Sequence, residues 1–232
     1  MNEHKPKILR IGLVGAPQSG KTSLVEYLRN TLKKEYQVII AEEVPTRLLK
    51  EGLNPPYNIS GLEFQLECLR EYTSQYDKID YNISNYLNHS PDKPIVILYD
   101  TLPSIGITYL SNREKEDADI WQMAYENSLD YFVGHVPDKI FITELLQGEY
   151  SIRGNVVRRE LETQKILSIA EKIDSLYKEG IHLSNEHSVE ERAGIIVDYI
   201  DTFFSRKYCP TCGNILPEDR KPYRTSCKFR IY

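Results

Sequence analysis

The chain has 232 residues, a length that suits one large domain or one domain with a small appendage. Hydrophobic residues make up 41% and charged residues 27%, which excludes a chain that is disordered throughout. The net charge of −5 and the lack of a long apolar run argue against a general duplex-binding protein and against a membrane-spanning one. The first residues lack the apolar core of a signal peptide, so we expect an intracellular, cytoplasmic protein.

Strands and helices alternate along residues 1–205, which we predict to be one domain. Short apolar runs predict five strands, at residues 8–15, 38–41, 95–99, 139–143 and 181–184. Helical spacing of apolar residues predicts helices at 23–33, 62–87 and 117–132, one that ends at 180, and one at 189–204. This order predicts a three-layer α/β fold, in which helices cover both faces of a mostly parallel five-stranded sheet.

A phosphate-binding motif follows the first predicted strand. Residues 15–22 fit the pattern G-x-x-x-x-G-K-[ST] and lie between a strand and a helix. The glycines allow successive backbone N–H groups to point at phosphate oxygens, and the helix N-terminus adds its positive dipole end. We expect Lys21 to reach the β- and γ-phosphates and the Thr22 hydroxyl to bind Mg²⁺. The sequence therefore predicts a P-loop NTPase that binds ATP or GTP through Gly15, Ala16, Pro17, Gln18, Ser19, Gly20, Lys21, Thr22 and Ser23.

Acidic residues end the second and third predicted strands, where ligands bind in doubly wound sheets. Asp100 ends an apolar run, and we expect it to hold the Mg²⁺ ion; a cap or turn aspartate is the alternative. Glu43, with Glu42 as its rival, is a candidate general base that takes the proton from an attacking hydroxyl. The alternatives for Glu43 are a solvated acid or a partner of Arg47.

Arginines cluster after the fourth predicted strand, at Arg153, Arg158 and Arg159. Arginines that close over a transferring phosphoryl group stabilise its charge, and a lid also excludes water. The sequence therefore predicts a catalytic lid that includes Arg158 and Arg159. The alternative is that these two arginines pair with Glu160 and Glu162 on a solvated helix face.

Residues 206–232 form a basic tail that contains three of the four cysteines. Cys209 and Cys212 have the spacing of a zinc knuckle, and Cys227 follows at the distance of a second pair. Arg230 stands where the fourth cysteine would be, so a histidine, another chain or water would have to complete a Zn²⁺ site. A pair of thiols without metal is the alternative. The basic and aromatic residues of the tail suit contact with RNA or protein, although a solvated extension also explains them.

Taken together, the chain resembles the P-loop ATPase (AAA) domain of bacterial nicotinamide riboside kinase-type (NadR-like) proteins, within the wider P-loop kinase superfamily. The resemblance spans about residues 8–200 and rests on IGLVGAPQSGKTSLVEYL, AEEVPTRLLKEG, FQLECLREY, IVILYDTLPSIGITYL, IFITELLQGEYSIRGNVVRRE and SVEERAGIIVDYI. It implies that residues 15–22 bind the nucleotide phosphates, that Glu43 and Asp100 flank the acceptor, and that Arg158 and Arg159 belong to the lid.

The chain departs from this family at two places on the acceptor side. Asp100-Thr101 stands where Asp-Arg is frequent, and Arg153-Gly154-Asn155 stands where an Asp-Gly step often precedes the lid arginines. The identity of the acceptor therefore does not carry over. We expect an ATP- and Mg²⁺-dependent phosphotransferase acting on a nucleoside, a nucleotide, an RNA end or a similar small acceptor. The alternative is a nucleotide-operated switch that engages a protein or RNA partner.

Overall fold

The computed structural model describes residues 8–17, 19–55, 57–89, 93–110, 115–145 and 156–205, without the side chains of 115, 156–163 and 165. Each of the five predicted strands is present to within two residues. The strands and helices in chain order are β1 Ile8–Val14, α1 Lys21–Leu32, β2 Gln37–Ala41, α2 Val44–Lys50, α3 Gly61–His89, β3 Ile95–Asp100, α4 Gly106–Leu110, α5 Lys115–Asn127, α6 Leu129–Phe132, β4 Lys139–Thr143, α7 Val156–Leu176, β5 Ile181–Leu183 and α8 Val189–Ser205.

The five strands form one sheet in the order β2-β3-β1-β4-β5, and every neighbouring pair is parallel. The predicted α/β fold class is therefore confirmed. Because parallel strands end at the same edge of a sheet, the residues that follow β1, β2 and β3 meet there. This edge brings together the phosphate loop after Val14, Glu43 after Ala41, and Asp100.

Helices cover both faces of the sheet, which gives the predicted three layers. Side chains alternate along β3, so Ile95, Ile97 and Tyr99 pack on one face while Val96 and Leu98 pack on the other. The first face carries α2 to α7, and the second carries α1 and α8. By the same alternation Asp100 lies on the α1 side, next to the helix that follows the phosphate loop.

Two helices begin with a capping box, a reciprocal pair of bonds between the cap residue and the third helical position. At the start of α3 the Glu63 amide donates to Ser60 Oγ at 3.1 Å, and the Ser60 amide donates to Glu63 Oε2 at 2.9 Å. Ser188 and Glu191 repeat the pattern at the start of α8, with distances of 3.2 and 2.8 Å. These bonds fix the first turns of the two helices.

The sequence misjudged several helices. The short helices α2 and α4 were not predicted, because five to seven residues carry too little periodicity to reveal a helix. The single helix predicted at 117–132 is broken at Ser128, whose hydroxyl donates to the Ala124 carbonyl at 2.9 Å. In the lid region α7 begins at Val156, so the backbones of Arg158 and Arg159 are helical.

None of the helices in the described ranges is long and apolar enough to cross a membrane. The last described element, α8, ends at Ser205, which is the predicted domain boundary. The tail at 206–232 lies outside the described residues. The division into residues 1–205 and 206–232 therefore stays a prediction.

Candidate functional site

The phosphate loop turns sharply between β1 and α1, and its two glycines make that turn possible. Gly20 caps α1 with φ of 79°, a left-handed conformation that favours glycine. A Cβ atom on Gly15 would lie 2.2 Å from Thr143 Oγ1 and 2.6 Å from the Thr143 carbonyl oxygen. Because both atoms are closer than any real contact, Gly15 has no room for a side chain.

Ser19, in the middle of the loop, is fully buried and is held on three sides. Its amide donates to the Ala16 carbonyl at 3.3 Å, and its hydroxyl lies 2.7 Å from Thr143 Oγ1. Thr143 in turn donates to the Val14 carbonyl at 3.1 Å, which links the loop to the end of β4. On the third side, Arg192 of α8 donates to the Ser19 carbonyl at 3.2 Å. The loop is therefore fixed by the sheet and by the last helix.

Lys21 lies over the loop and is only 6% exposed. Its ammonium group donates to the carbonyl of Gly15 at 2.9 Å and to that of Ala16 at 3.1 Å. Burial lowers the pKa of Lys21, while the negative charges of Glu43 and Asp100 raise it in part. The Lys21 ammonium group is thus held against the loop and interacts electrostatically with Glu43 and Asp100. The motif predicts that phosphate oxygens would bind beside it.

Asp100 lies next to the first turn of α1. Its Oδ2 accepts a hydrogen bond from Thr22 Oγ1 at 3.1 Å, and its Oδ1 is buried with no hydrogen-bond partner among the described residues. Burial, with the charge of Glu43, raises its pKa to about 6. A buried carboxylate oxygen without a partner beside a hydroxyl suits Mg²⁺, which takes one or two protein oxygens in addition to phosphate oxygens and water. The predicted pair of Thr22 and Asp100 fits that ion.

Glu43 is the second residue after β2 and directly precedes α2. Its two carboxylate oxygens accept from different hydroxyls, Oε2 from Thr46 at 2.5 Å and Oε1 from Thr101 at 3.4 Å. Its rival Glu42 is exposed and does not line the cavity described below. The geometry therefore favours Glu43 over Glu42 as the acid that faces a ligand.

Thr101 directly follows Asp100 and has φ of 86°, a strained conformation for a β-branched residue. Such strain costs on the order of 1–3 kcal/mol and tends to occur at functional sites. The Thr101 amide donates to the Leu13 carbonyl at 3.0 Å, which holds the backbone in this conformation. The strained turn brings the Thr101 hydroxyl to Glu43.

A cavity of about 800 Å³ opens between the phosphate loop and the helices on the α3 face of the sheet. Its size is typical of sites for small molecules. The phosphate loop lines one part of it through Pro17, Gly20, Lys21, Thr22 and Ser23. Glu43 also borders the cavity, and the remaining wall comes from α2, α3, α4, α7 and the loop before α3.

The wall beyond Glu43 is largely apolar and aromatic, with the Gln65 amide among these side chains. Gln65 is 8% exposed, and no hydrogen bond to its amide is present among the residues that the structure describes. Tyr109 keeps its proton, since burial raises its pKa, with a further contribution from the charge of Glu43. The lining side chains of this wall are Pro45, Thr46, Leu49, Pro55, Phe64, Gln65, Thr108, Tyr109, Leu110 and Ile169.

The side chains of α2, α3, α4 and α7 that form this wall were not predicted from the sequence. Apolar spacing predicts the helix α3 but not which of its sides faces the cavity. Leu62 and Leu66 are half-buried, while Phe64, Gln65 and Cys68 are buried. The first turns of α3 line the cavity through Gly61, Phe64 and Gln65. In this part of the helix the buried side chains are therefore those that face the cavity. A glutamine between buried positions is one sequence signal of such a wall.

Several predicted site residues lie outside the described part of the structure. These are Gln18 and Arg153, the cysteines Cys209, Cys212 and Cys227, and the side chains of Arg158 and Arg159. Among the side chains that are described, no group of three or more His, Cys, Asp or Glu residues could hold a metal ion. The lid and the Zn²⁺ site therefore stay predictions.

No protein-family model and no characterised protein sequence matches the chain. Among solved structures, deoxyadenosine kinase from M. mycoides, with the products dCMP and a flexible dCDP bound, is similar. The two share a TM-score of 0.52 and 14% identity over 84% of this chain and 100% of that chain. At this identity the match shows the fold alone, so the NadR-like assignment stays a prediction. The chain has the fold of a P-loop kinase.

Proposed function

We propose that the protein is an ATP- and Mg²⁺-dependent phosphotransferase, with a nucleoside or nucleotide as the favoured acceptor. The observation that carries the proposal is the position of Glu43, which borders one cavity together with Lys21 and Thr22 of the phosphate loop and with the apolar wall. A triphosphate in the loop and an acceptor against the wall would meet at this carboxylate. Phosphoryl transfer needs chiefly such positioning and charge stabilisation.

The residues of the chain suggest a division of roles in the transfer. Glu43 would take the proton of the acceptor hydroxyl as its oxygen forms a bond to the γ-phosphorus, while the bond to the β-phosphate oxygen breaks and the nucleoside diphosphate leaves. Lys21 and the loop amides would stabilise the charge on the phosphate oxygens. Thr22 and Asp100 would hold Mg²⁺, which when bound offsets charge on the β- and γ-phosphates.

The composition of the wall supports a nucleoside-like acceptor. Phe64 and Tyr109 offer aromatic surface to a flat ring. The Gln65 amide, which has no partner within the described ranges, can both donate and accept hydrogen bonds at a base edge. The structural neighbour acts on a deoxynucleoside by name, which supports the same class here. A switch that only hydrolyses nucleotide has no need of an acceptor wall, so the cavity favours transfer over regulation.

A transfer assay tests the proposal. The full chain is incubated with Mg²⁺ and ATP or GTP, first alone and then with ribonucleosides, deoxynucleosides, nicotinamide riboside, nucleoside monophosphates or an RNA with a free 5′ hydroxyl. Mass spectrometry records any acceptor that gains one phosphate. We expect slow hydrolysis without acceptor and rapid transfer to one nucleoside or nucleotide class. Rapid hydrolysis that no acceptor changes would instead support the switch.

A further inference from the structure

Arg192 is a buried charged residue that the proposed transfer does not use. It lies on α8 and is 2% exposed. Its Nη1 donates to the Ser19 carbonyl at 3.2 Å, and its Nε donates to the Ser188 carbonyl at 3.4 Å. Since Ser19 belongs to the phosphate loop, the guanidinium lies directly behind the surface that would meet the phosphates.

This guanidinium has no negatively charged partner in the part of the chain that the structure describes. Among the described residues no carboxylate oxygen lies within 4.0 Å of it. An arginine side chain stays protonated in proteins, and carbonyl dipoles compensate a buried charge only in part. Within the described ranges, a buried positive charge without a carboxylate partner therefore lies under the phosphate loop, which is costly unless an anion binds nearby.

We propose that Arg192 is a positioning residue for the polyphosphate, whose negative charge is its counter-charge. It acts through Ser19: by donating to the Ser19 carbonyl it fixes the loop on the α8 side, and its buried charge adds to that of Lys21. Lys21 lines the cavity and can touch phosphate, whereas Arg192 does not line it. The inference rests on the proposed function for the phosphate site but needs no acceptor.

The test separates charge from hydrogen bonding. Arg192→Gln keeps N–H donors without the charge, Arg192→Lys keeps the charge with fewer donors, and Arg29→Gln on the exposed side of α1 is the matched control. Calorimetry measures the dissociation constants of inorganic tripolyphosphate and of MgATP, and a melting curve confirms that each variant folds. We expect Arg192→Gln to bind tripolyphosphate about tenfold more weakly, while Arg192→Lys and Arg29→Gln stay within about threefold of the wild type.

Each outcome decides a different question. Wild-type affinity in Arg192→Gln, or equal losses in the glutamine and lysine variants, overturns the charge role. Failure of the wild type to bind tripolyphosphate and MgATP overturns this inference and the proposed function together. Binding by the wild type without phosphorylation of any acceptor overturns the proposed function alone.

A second variant covers the case in which Arg192→Gln does not fold. Arg192→Met keeps the length and the apolar stem of the side chain, removes its charge and suits a buried position. Its affinity for tripolyphosphate should also be about tenfold below that of the wild type and of Arg192→Lys. Wild-type affinity in a folded Arg192→Met overturns the proposal.

Discussion

The phosphate loop and the acceptor wall lie in the same cavity but are built in different ways. The loop is a run of eight consecutive residues, 15–22, whose backbone would make most of the phosphate contacts. The wall uses side chains from α2, α3, α4 and α7, which lie far apart in the sequence. A phosphate site is thus a local property of the chain, whereas an acceptor site exists only after the helices have packed.

Glu43 belongs to neither group and connects them. It follows β2 at the same sheet edge as the loop, and it also borders the helical wall. If this comparison is correct, changes in the loop should affect any nucleotide-dependent reaction, while changes in the wall should affect the acceptor alone.

The largest effect is expected from removing the cation of the loop. Lys21→Met should lower kcat/KM for transfer on the order of 10³-fold, because the variant loses the buried charge that stabilises the transferring group. Steady-state kinetics measures the loss. Lys33→Met, at the exposed end of α1, is the control and should be unchanged. Comparable activity in both variants would show that the loop is not the site of transfer.

Glu43→Gln tests the residue between the two regions. Its kcat should fall by about 10²-fold, the lower range for general-base catalysis, because a loose transition state needs little help from a base. Nucleotide binding measured by calorimetry should be unchanged. Glu42→Gln is the matched neighbour and should behave as wild type; the reverse ranking of the two variants would mean that the wrong glutamate has been assigned.

Asp100→Asn should weaken Mg²⁺-dependent activity. The Mg²⁺ concentration for half-maximal transfer should rise about tenfold, since the amide lacks the charge that a cation prefers. In the wild type the same concentration should rise as the pH falls through about 6, where Asp100 becomes protonated. A magnesium titration at several pH values measures both effects, and a variant with the wild-type requirement at all of them would remove Asp100 from the metal site.

The raised pKa of Asp100 also predicts an effect on stability without nucleotide. The folded protein keeps the Asp100 proton up to about pH 6, while the unfolded chain releases it near 3.8, so the free energy of unfolding falls as the pH rises between these values. Above pH 6 the cost is roughly 3 kcal/mol or less. Asp100→Asn should therefore be more stable than the wild type at pH 7 in urea unfolding, and lower stability would refute this electrostatic account.

The smallest effect is expected at the wall. Gln65→Leu should raise the KM for the acceptor by about threefold to tenfold, which corresponds to one lost hydrogen bond, and should leave the KM for ATP unchanged. Gln122→Leu on the exposed face of α5 is the control. An equal rise in both KM values for Gln65→Leu would contradict the division of the cavity into a local loop and a distant wall.

The loop and the sheet edge could be predicted because their signals are local. Apolar runs located all five strands, the motif located Lys21 and Thr22, and the strand ends pointed to Glu43 and Asp100. Strand order was not needed, since parallel strands place their carboxyl ends at one edge in any order.

The rest could not be predicted because it depends on contacts between distant positions. Ser19 forms hydrogen bonds with Thr143, 124 positions away, and with Arg192, 173 positions away. No local sequence pattern predicts either contact. For Gln65 the sequence predicts only a helix, because periodicity does not reveal which face of a helix lines a cavity. The lid arginines and the cysteine tail stay predictions from sequence alone.

The most direct test of one shared site uses a compound that joins adenosine and a nucleoside through a chain of phosphates. Such a compound can occupy the loop and the wall at once, so the second contact becomes intramolecular. Calorimetry should give a dissociation constant about 100-fold or more below that of ATP, and Gln65→Leu should lose part of that gain. A compound that binds no tighter than ATP, with each nucleoside tried, would contradict the account that the loop and the wall hold the two substrates of one transfer.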